Sequence, residues 1–131
     1  APRGNPADEQ ISYLAAYELV KNKDFDKAVM AMKSFINHYP RGGYTANAHY
    51  WLGELYMVKK SYPDAIDQFK TVLQTFPASS KSSASSLKIG YALAESGQTH
   101  AARDHLRTVI HDYPDTHAAE LAASKLETLN S

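Results

Sequence analysis

The sequence reads FINHYP at residues 35–40, and it nearly repeats this stretch as VLQTFP at 72–77 and as VIHDYP at 109–114. Each stretch holds two apolar residues, two polar residues, an aromatic residue and a proline, and the prolines are 37 residues apart both times. Two sets of small residues keep the same interval: Ala16, Gly53 and Gly90, and Ala28, Ala65 and Ala102. Agreement at several unrelated positions indicates an internal repeat.

Each repeat has the apolar pattern of two helices. In the second repeat, apolar residues recur in steps of three and four at Leu52, Leu55, Tyr56 and Val58, and again at Ala65, Ile66, Phe69, Val72 and Leu73. The polar break at 59–63 separates the two runs, and the closing proline cannot continue a helix. Glycine inside a helix is unfavourable, so Gly53 and Gly90 indicate close approach of the paired helices.

These patterns predict an all-α superhelix of three helix-turn-helix repeats, at about 8–40, 45–77 and 80–114. Helices are expected near 8–22, 25–38, 45–60, 63–75, 80–96 and 99–112. A further amphipathic segment at 116–129 is expected to be a helix that caps the third repeat, because the last unit of a repeat array must be sealed from water. Residues 1–7, with two prolines and a glycine, have the composition of a linker or flexible N-terminus.

Composition narrows the classes of function. Fourteen basic residues balance fourteen acidic ones, and no basic run indicates nucleic acid or anionic lipid as a partner. Cysteine is absent, which removes thiol catalysis, disulfides and cysteine metal sites. No apolar run approaches the roughly 18 residues of a membrane span, and no signal peptide is recognised. Because the first residue is Ala rather than Met, we expect a processed protein or an excised fragment.

No catalytic or metal motif emerges from the polar residues. The six histidines lie at His38, His49, His100, His105, His111 and His117. They form neither an HxxxH nor an HExxH pattern, so scattered surface histidines are a better interpretation than a metal site. Nothing pairs the serines of 79–86 with a base, and the glycines of 42–43 lack the lysine and serine of a phosphate loop. We therefore expect no enzyme activity and no cofactor.

The repeat resembles the tetratricopeptide repeat (TPR), whose usual period is about 34 residues. The second repeat carries the pattern best, through Leu52, Gly53, Tyr56, Ala65, Phe69 and Pro77. The third keeps Gly90, Ala102, Leu106 and Pro114, and the first keeps Ala28 and Pro40. The first repeat departs from the pattern in having Ala16 for glycine and Met32 for the aromatic residue.

One subfamily is closer still. The stretches 47–56, 64–69 and 76–82 are similar to the C-terminal TPR domain of the cell division coordinator CpoB (YbgF), and the resemblance extends over residues 8–129. It implies a periplasmic protein of the Tol-Pal system in Gram-negative bacteria. The implied partners are TolA and possibly a peptidoglycan synthase, and the implied role is to coordinate peptidoglycan synthesis with outer-membrane constriction. It also implies possible homo-oligomers through an N-terminal coiled coil. This chain lacks that coiled coil, because no heptads precede residue 8.

Two alternatives stay open. Outer-membrane assembly proteins of the BamD type also carry repeats that end in Tyr-Pro, although they usually have more repeats and begin at a lipidated cysteine. The chain could also be a structural scaffold, or a self-associating TPR segment without a dedicated peptide ligand. Direct membrane insertion and nucleic-acid binding are not expected in either case.

Partner binding is expected in the concave groove that the first helices of stacked hairpins form. Alignment of the repeats places nine residues there: Tyr13, Tyr17, Asn47, Tyr50, Glu54, Met57, Leu87, Tyr91 and Glu95. Four are tyrosines, which suit recognition because they are large and amphipathic. The alternative is that some of these tyrosines pack between neighbouring first helices. Trp51 is expected to pack on the preceding loop near Tyr44, with ligand stacking as the alternative.

Overall fold

The computed structural model describes residues 5–130, which form seven α-helices and no β-strand. The helices are α1 (Pro6–Lys21), α2 (Phe25–His38), α3 (Thr45–Val58), α4 (Tyr62–Thr75), α5 (Ser82–Glu95), α6 (Thr99–Asp112) and α7 (His117–Asn130). Successive helices pack as the hairpins α1–α2, α3–α4 and α5–α6, and α7 packs on α5 and α6. The expected all-α array of three hairpins with a closing helix is confirmed.

The first helix begins earlier than the sequence indicated. Helix α1 starts at Pro6, inside the expected linker 1–7, because the Asn5 side chain accepts a hydrogen bond from the Ala7 N–H at 2.8 Å. Pro6 needs no partner for an N–H at the first helical position. Asp8 and Glu9 lie near the positive end of the helix. The rest of the expected linker, residues 1–4, lies outside the described residues.

A buried hydroxyl starts the first helix of the second and third hairpins. Thr45 donates a hydrogen bond to the Tyr39 carbonyl and accepts one from the Gly42 N–H at 2.8 Å. Ser82, which is 37 residues further on, donates to the carbonyls of Phe76 and Pro77 at 3.3 and 3.1 Å. These bonds join the start of each first helix to the end of the preceding hairpin. Helix α5 therefore begins at Ser82, two residues later than expected.

A carboxylate adds a second connection between the first two hairpins. Glu9 is only 8 % exposed, and its Oε2 accepts a hydrogen bond from the Tyr44 N–H at 2.8 Å. Gly42 leaves room for this carboxylate, because a Cβ built there would lie 2.2 Å from the same oxygen. The long loop after Pro40 is therefore held against α1.

The turn within each hairpin has the same geometry at positions 23, 60 and 97. Lys23, Lys60 and Gly97 have φ angles of 60°, 60° and 85°. The N–H of the next residue bonds the carbonyl five positions earlier: Asp24 to Leu19, Ser61 to Tyr56 and Gln98 to Leu93, at 3.0, 2.9 and 2.9 Å. This is the Schellman ending of a helix, in which glycine is the favoured left-handed residue. In the third hairpin this left-handed residue is Gly97.

The small residues of the first helices lie opposite large residues of the second helices. A Cβ built on Gly53 would lie 2.4 Å from the Phe69 ring, and one on Gly90 would lie 2.5 Å from a methyl group of Leu106. Phe69 and Leu106 are fully buried, as is Met32 at the equivalent position in the first hairpin. The glycines thus allow the close approach that their positions predicted.

The three similar stretches, at 35–40, 72–77 and 109–114, are the ends of the second helices. Their first apolar residues are buried: Phe35, Val72 and Val109. The backbone N–H of the aromatic residue in each stretch bonds the carbonyl of that buried residue, which closes the last helical turn at Tyr39, Phe76 and Tyr113. The aromatic side chains are half-buried over the core, and the following prolines terminate the helices.

Candidate protein-binding groove

The first helices of the hairpins, together with α7, form one side of the array. Helix α1 contacts α3, α5 contacts α7, and an ion pair joins Glu54 on α3 to Lys88 on α5 at 3.4 Å. Two rows of equivalent positions run across this surface at intervals of 37 residues. One row is Leu14, Trp51, Lys88 and Lys125, and the other is Tyr17, Glu54, Tyr91 and Thr128. We call this surface the inner groove.

Three of the nine residues expected to line the groove are buried. Tyr13, Tyr50 and Leu87 are 6 %, 8 % and 3 % exposed. Tyr13 packs against the rings of Phe35 and Tyr44, with centroids at 5.7 and 4.9 Å. Tyr50 packs on Phe69, and Leu87 belongs to the core of the third hairpin. The expected exposure of these three is wrong, because they fill the space between neighbouring helices.

The other six expected residues remain accessible. Tyr17, Asn47, Glu54, Met57 and Tyr91 are half-buried, and Glu95 is exposed. Met57, Tyr91 and Glu95 line an open depression of about 520 Å³, together with Lys60, Tyr62 and Lys125. This depression lies at the end of the groove where α3, α5 and α7 meet. The accessible part of the candidate site is therefore spread over all three hairpins.

Trp51 lies on the inner groove rather than on the preceding loop. Its ring contacts those of Tyr17 and Tyr50, both with centroids 5.3 Å away. The Tyr44 ring is instead stacked on Tyr13. The expected contact between Trp51 and Tyr44 is wrong, because position 51 is equivalent to 88 and 125 and faces the groove as they do. Tyr13, Tyr17, Tyr50 and Trp51 form what we call the aromatic cluster.

Hydrogen bonds hold the two buried tyrosines of the aromatic cluster, Tyr13 and Tyr50, in place. Burial raises the pKa of Tyr13, and hydrogen bonds from the side chains of Trp51 and Asn47 oppose that rise. Burial also raises the pKa of Tyr50 to about 12, with further contributions from the nearby charge of Glu54 and a hydrogen bond to it. Both hydroxyls are neutral at physiological pH, so Tyr50 donates to the Glu54 carboxylate. Glu54 is thereby held between Tyr50 and Lys88.

Three lysines complete the groove, and the sequence analysis missed them. The Nζ of Lys81 lies 4.9 and 5.6 Å from the ring centroids of Tyr50 and Trp51. The Nζ atoms of Lys88 and Lys125 lie 5.6 and 5.8 Å from the Tyr91 centroid. Extending the 37-residue interval into α7 would have found Lys125, which is equivalent to Lys88. Nothing in the repeat pattern indicates Lys81, whose position depends on the loop before α5.

The described part of the chain offers little for other kinds of site. Among residues 5–130, no group of three or more His, Asp or Glu side chains is placed to bind a metal ion. None of the helices in this range has both the length and the apolar character that a membrane span requires.

Sequence comparison relates the chain to known proteins. Two family models, both described as tetratricopeptide repeat, match residues 13–80 and 84–116. The cell division coordinator CpoB of Pseudomonas putida is 50 % identical over 56 residues, which are 43 % of this chain and 21 % of that protein. CpoB of Escherichia coli is 48 % identical over 44 residues, or 33 % of this chain and 17 % of that protein. The match thus spans about a fifth of the length of these relatives.

Structural comparison agrees on the fold. The second TPR domain of human RPAP3, solved in complex with an HSP70 peptide, superposes with a TM-score of 0.75 at 15 % identity and covers 97 % of this chain and 99 % of its own. The TPR domain of Arabidopsis OM64 gives 0.74 at 17 % identity, over 95 % and 98 % of the two chains. With a family model matching more than half of its length, the chain belongs to the tetratricopeptide repeat family.

Proposed function

We propose that this chain is a protein-interaction module that binds a segment of a partner polypeptide in the inner groove. The observation that carries the proposal is the half-exposed aromatic surface of Tyr17, Trp51 and Tyr91. Hydrogen bonds of the buried residues Tyr13 and Tyr50 support this surface. Aromatic side chains contribute large contact areas at a small cost in conformational entropy, and they are enriched among residues that dominate binding. No catalytic step is part of this proposal.

The similarity to CpoB supports a more specific role. The relatives are named for cell division, and TolA is the partner that the resemblance of the sequence implies. We therefore propose that the chain acts in the periplasm, where it binds TolA and coordinates peptidoglycan synthesis with outer-membrane constriction. The neighbouring RPAP3 domains are solved with HSP70 and HSP90 peptides, which supports a peptide segment as the kind of ligand.

Titration with a TolA fragment from Pseudomonas putida tests the proposal. Trp51 is the sole tryptophan of the chain and lies in the groove, so a fragment without tryptophan should change its emission on binding. Tyr17→Ala and Tyr91→Ala should each weaken binding about tenfold or more, since truncating an interface aromatic commonly costs over 1 kcal/mol. Tyr50 is a poor choice for this test, because its ring packs in the core on Phe69.

The control is Met30→Ala on α2. Met30 is 71 % exposed and lies outside the inner groove, so the variant should bind as the parent chain does, with the same far-UV circular dichroism. Absence of binding by the intact chain would contradict the choice of TolA. Equal weakening by the groove and control variants would contradict the choice of surface. Concentration-dependent sedimentation with the groove occluded would instead support self-association.

A further inference from the structure

The inner groove differs in chemistry from one end to the other. Along the row of equivalent positions, the first two residues are Leu14 and Trp51 and the last two are Lys88 and Lys125. Leu14 is 49 % exposed although it is a large apolar residue. This row is therefore apolar and aromatic on α1 and α3 and basic on α5 and α7, while Lys21 and Lys81 add basic groups over Tyr17 and Trp51. A ligand that spans the groove has to match both ends.

The lysines of the groove are held by aromatic rings. Lys81 lies over Tyr50 and Trp51, and Lys125 lies over Tyr91. Packing a lysine stem on a ring restricts its rotamers while its ammonium group stays accessible to another anion. Lys88 pairs with the Glu54 carboxylate at 3.4 Å, and its ammonium group has three N–H donors, so it can also donate to a second anion. The lysines are positioned before any ligand arrives.

The inner groove has an excess of positive charge, whereas the chain as a whole is neutral. Five lysines lie over its rings or line its depression, against three carboxylates. The lysines are Lys21, Lys60, Lys81, Lys88 and Lys125, and the carboxylates are Glu54, Glu95 and Glu18, which pairs with Lys21. The chain as a whole has equal numbers of basic and acidic residues. The positive excess is thus concentrated on the surface where we place the partner, and complementary charge on a ligand favours both encounter and register.

Resting on the proposed function, we infer that the ligand segment is acidic: its carboxylates pair with Lys81, Lys88 and Lys125, and an apolar side chain lies on Tyr17 and Trp51. Glu54 and Glu95 stand among the lysines, and their charges disfavour a continuous phosphate backbone. Separate carboxylates can meet the lysines and avoid these two residues. The groove therefore selects an acidic polypeptide segment over a nucleic acid.

Two synthetic peptides of about twelve residues, a length suited to a groove of this kind, test the inference with the intact chain. One consists of Glu, Ala and Leu, and the other has Gln in place of every Glu. Calorimetry and Trp51 emission should detect binding of the first, with at least a tenfold weaker response to the second. Raising the salt from 0.05 to 0.5 M, an order-of-magnitude step that shortens the screening length several-fold, should weaken the first interaction. Equal affinity for both peptides would overturn the inference.

Lysine variants test which positive charges bind the acidic peptide. Lys88→Gln and Lys125→Gln should each weaken binding of the acidic peptide about three- to tenfold. The matched control, Lys27→Gln, makes the same charge change on α2, where the side chain is 74 % exposed, and should have no effect. If an oligothymidylate binds more tightly than the acidic peptide, or if Lys27→Gln matters as much as the groove variants, the inference is overturned.

The same variants separate this inference from the proposed function. With the TolA fragment, loss of binding in Tyr17→Ala and Tyr91→Ala but not in the lysine variants would leave the groove as the binding surface and remove its acidic selectivity. Loss in all four would support both. Binding that survives all four variants would contradict both.

Discussion

The first and second hairpins have the same architecture but distribute their core volume differently. In the second hairpin Gly53 on α3 faces Phe69 on α4, whereas in the first Ala16 on α1 occupies the position equivalent to Gly53 and Met32 on α2 that equivalent to Phe69. Met32 and Phe69 are both fully buried. A flexible methionine accommodates the extra methyl group of alanine, whereas a rigid phenyl ring requires glycine. Alanine with methionine and glycine with phenylalanine are therefore two ways of filling the space between the paired helices.

Gly53→Ala should produce the largest loss of stability, because the new methyl group would lie 2.4 Å from the Phe69 ring. Overpacking of this kind costs about 1–3 kcal/mol or more, which exceeds the roughly 1 kcal/mol gained from the better helix propensity of alanine. Urea denaturation followed by circular dichroism measures the difference. The reverse change in the first hairpin, Ala16→Gly, should cost only about 1 kcal/mol.

A double variant sharpens this comparison. Gly53→Ala combined with Phe69→Met gives the second hairpin the facing pair of the first, and it should recover much of the stability that Gly53→Ala alone loses. If the double variant is as unstable as the sum of the two single ones, the facing-pair explanation is wrong and the difference between the hairpins lies elsewhere.

The junctions between hairpins differ in how the starting hydroxyl is used. Thr45 both donates to Tyr39 and accepts from Gly42, whereas Ser82 at the equivalent position donates to the carbonyls of Phe76 and Pro77. Thr45→Val keeps the shape but leaves a buried N–H and a carbonyl without this partner, which should cost about 2 kcal/mol. Ser82→Ala should cost about 1 kcal/mol. Equal losses in chemical denaturation would show that the second bond of Thr45 adds nothing.

Much of the fold was predictable because its signals are periodic. The interval of 37 residues located every hairpin, and the glycines at 53 and 90 indicated close helix packing. The bounds of α1 and α5 were less accessible, since they depend on local hydrogen bonds of Asn5 and Ser82 that the apolar pattern does not show. Periodicity thus identified the helices more reliably than it fixed their ends.

The groove was harder to predict than the helices around it. Tyr13 and Tyr50 face the correct side of their helices but are covered by neighbours, and helical geometry alone cannot distinguish a covered residue from an exposed one. The position of Trp51 follows from its equivalence to Lys88 and Lys125, whereas its place on α3 alone does not show which neighbour covers it. Lys81 is positioned by the loop before α5, so its contact with the aromatic cluster depends on tertiary structure.

Substitutions at the turns within the hairpins should change the stability less, and a change to glycine there should increase it. Lys60 has a φ of 60° at the position where the third hairpin has Gly97. A left-handed conformation is strained for a residue with a Cβ but not for glycine. Lys60→Gly should therefore stabilise the chain by up to about 1 kcal/mol, after the entropy that glycine adds to the unfolded state is included. Gly97→Ala should destabilise it by a similar amount, and a thermal melt of each variant measures the pair.

Matching changes elsewhere test this explanation. Lys23→Gly alters the same turn position of the first hairpin, where φ is also 60°, and should stabilise the chain as Lys60→Gly does. Gly43 does not have a left-handed φ, and a Cβ built on it would meet open space, so Gly43→Ala should not reproduce the loss expected for Gly97→Ala. Destabilisation by both lysine variants would contradict the role given to backbone strain.

The smallest effect concerns a polar pair that joins the two helices of a hairpin. His49 on α3 bonds Gln68 on α4 at 2.8 Å, and at the equivalent positions of the third hairpin His105 on α6 bonds the Ser86 carbonyl on α5 at 2.9 Å. The histidine of this pair therefore lies on the first helix of the second hairpin but on the second helix of the third hairpin. Burial lowers the pKa of His105 below its usual 6.5, as does the charge of Lys70, while the Ser86 bond and Asp112 oppose the shift.

A lowered pKa in the folded state means that the fold favours the neutral ring. The stability due to this preference is fully present above the unfolded-state pKa near 6.5 and is lost as the pH falls through the lower pKa of the folded state. His105→Gln, which places at 105 the residue found at 68, should make the melting temperature less dependent on pH over that interval. His100→Gln, a change at a side chain that is 88 % exposed, should leave the dependence unaltered. An unchanged pH profile in His105→Gln would mean that another group titrates in this interval, because the half-buried imidazole that links α5 to α6 is missing from that variant.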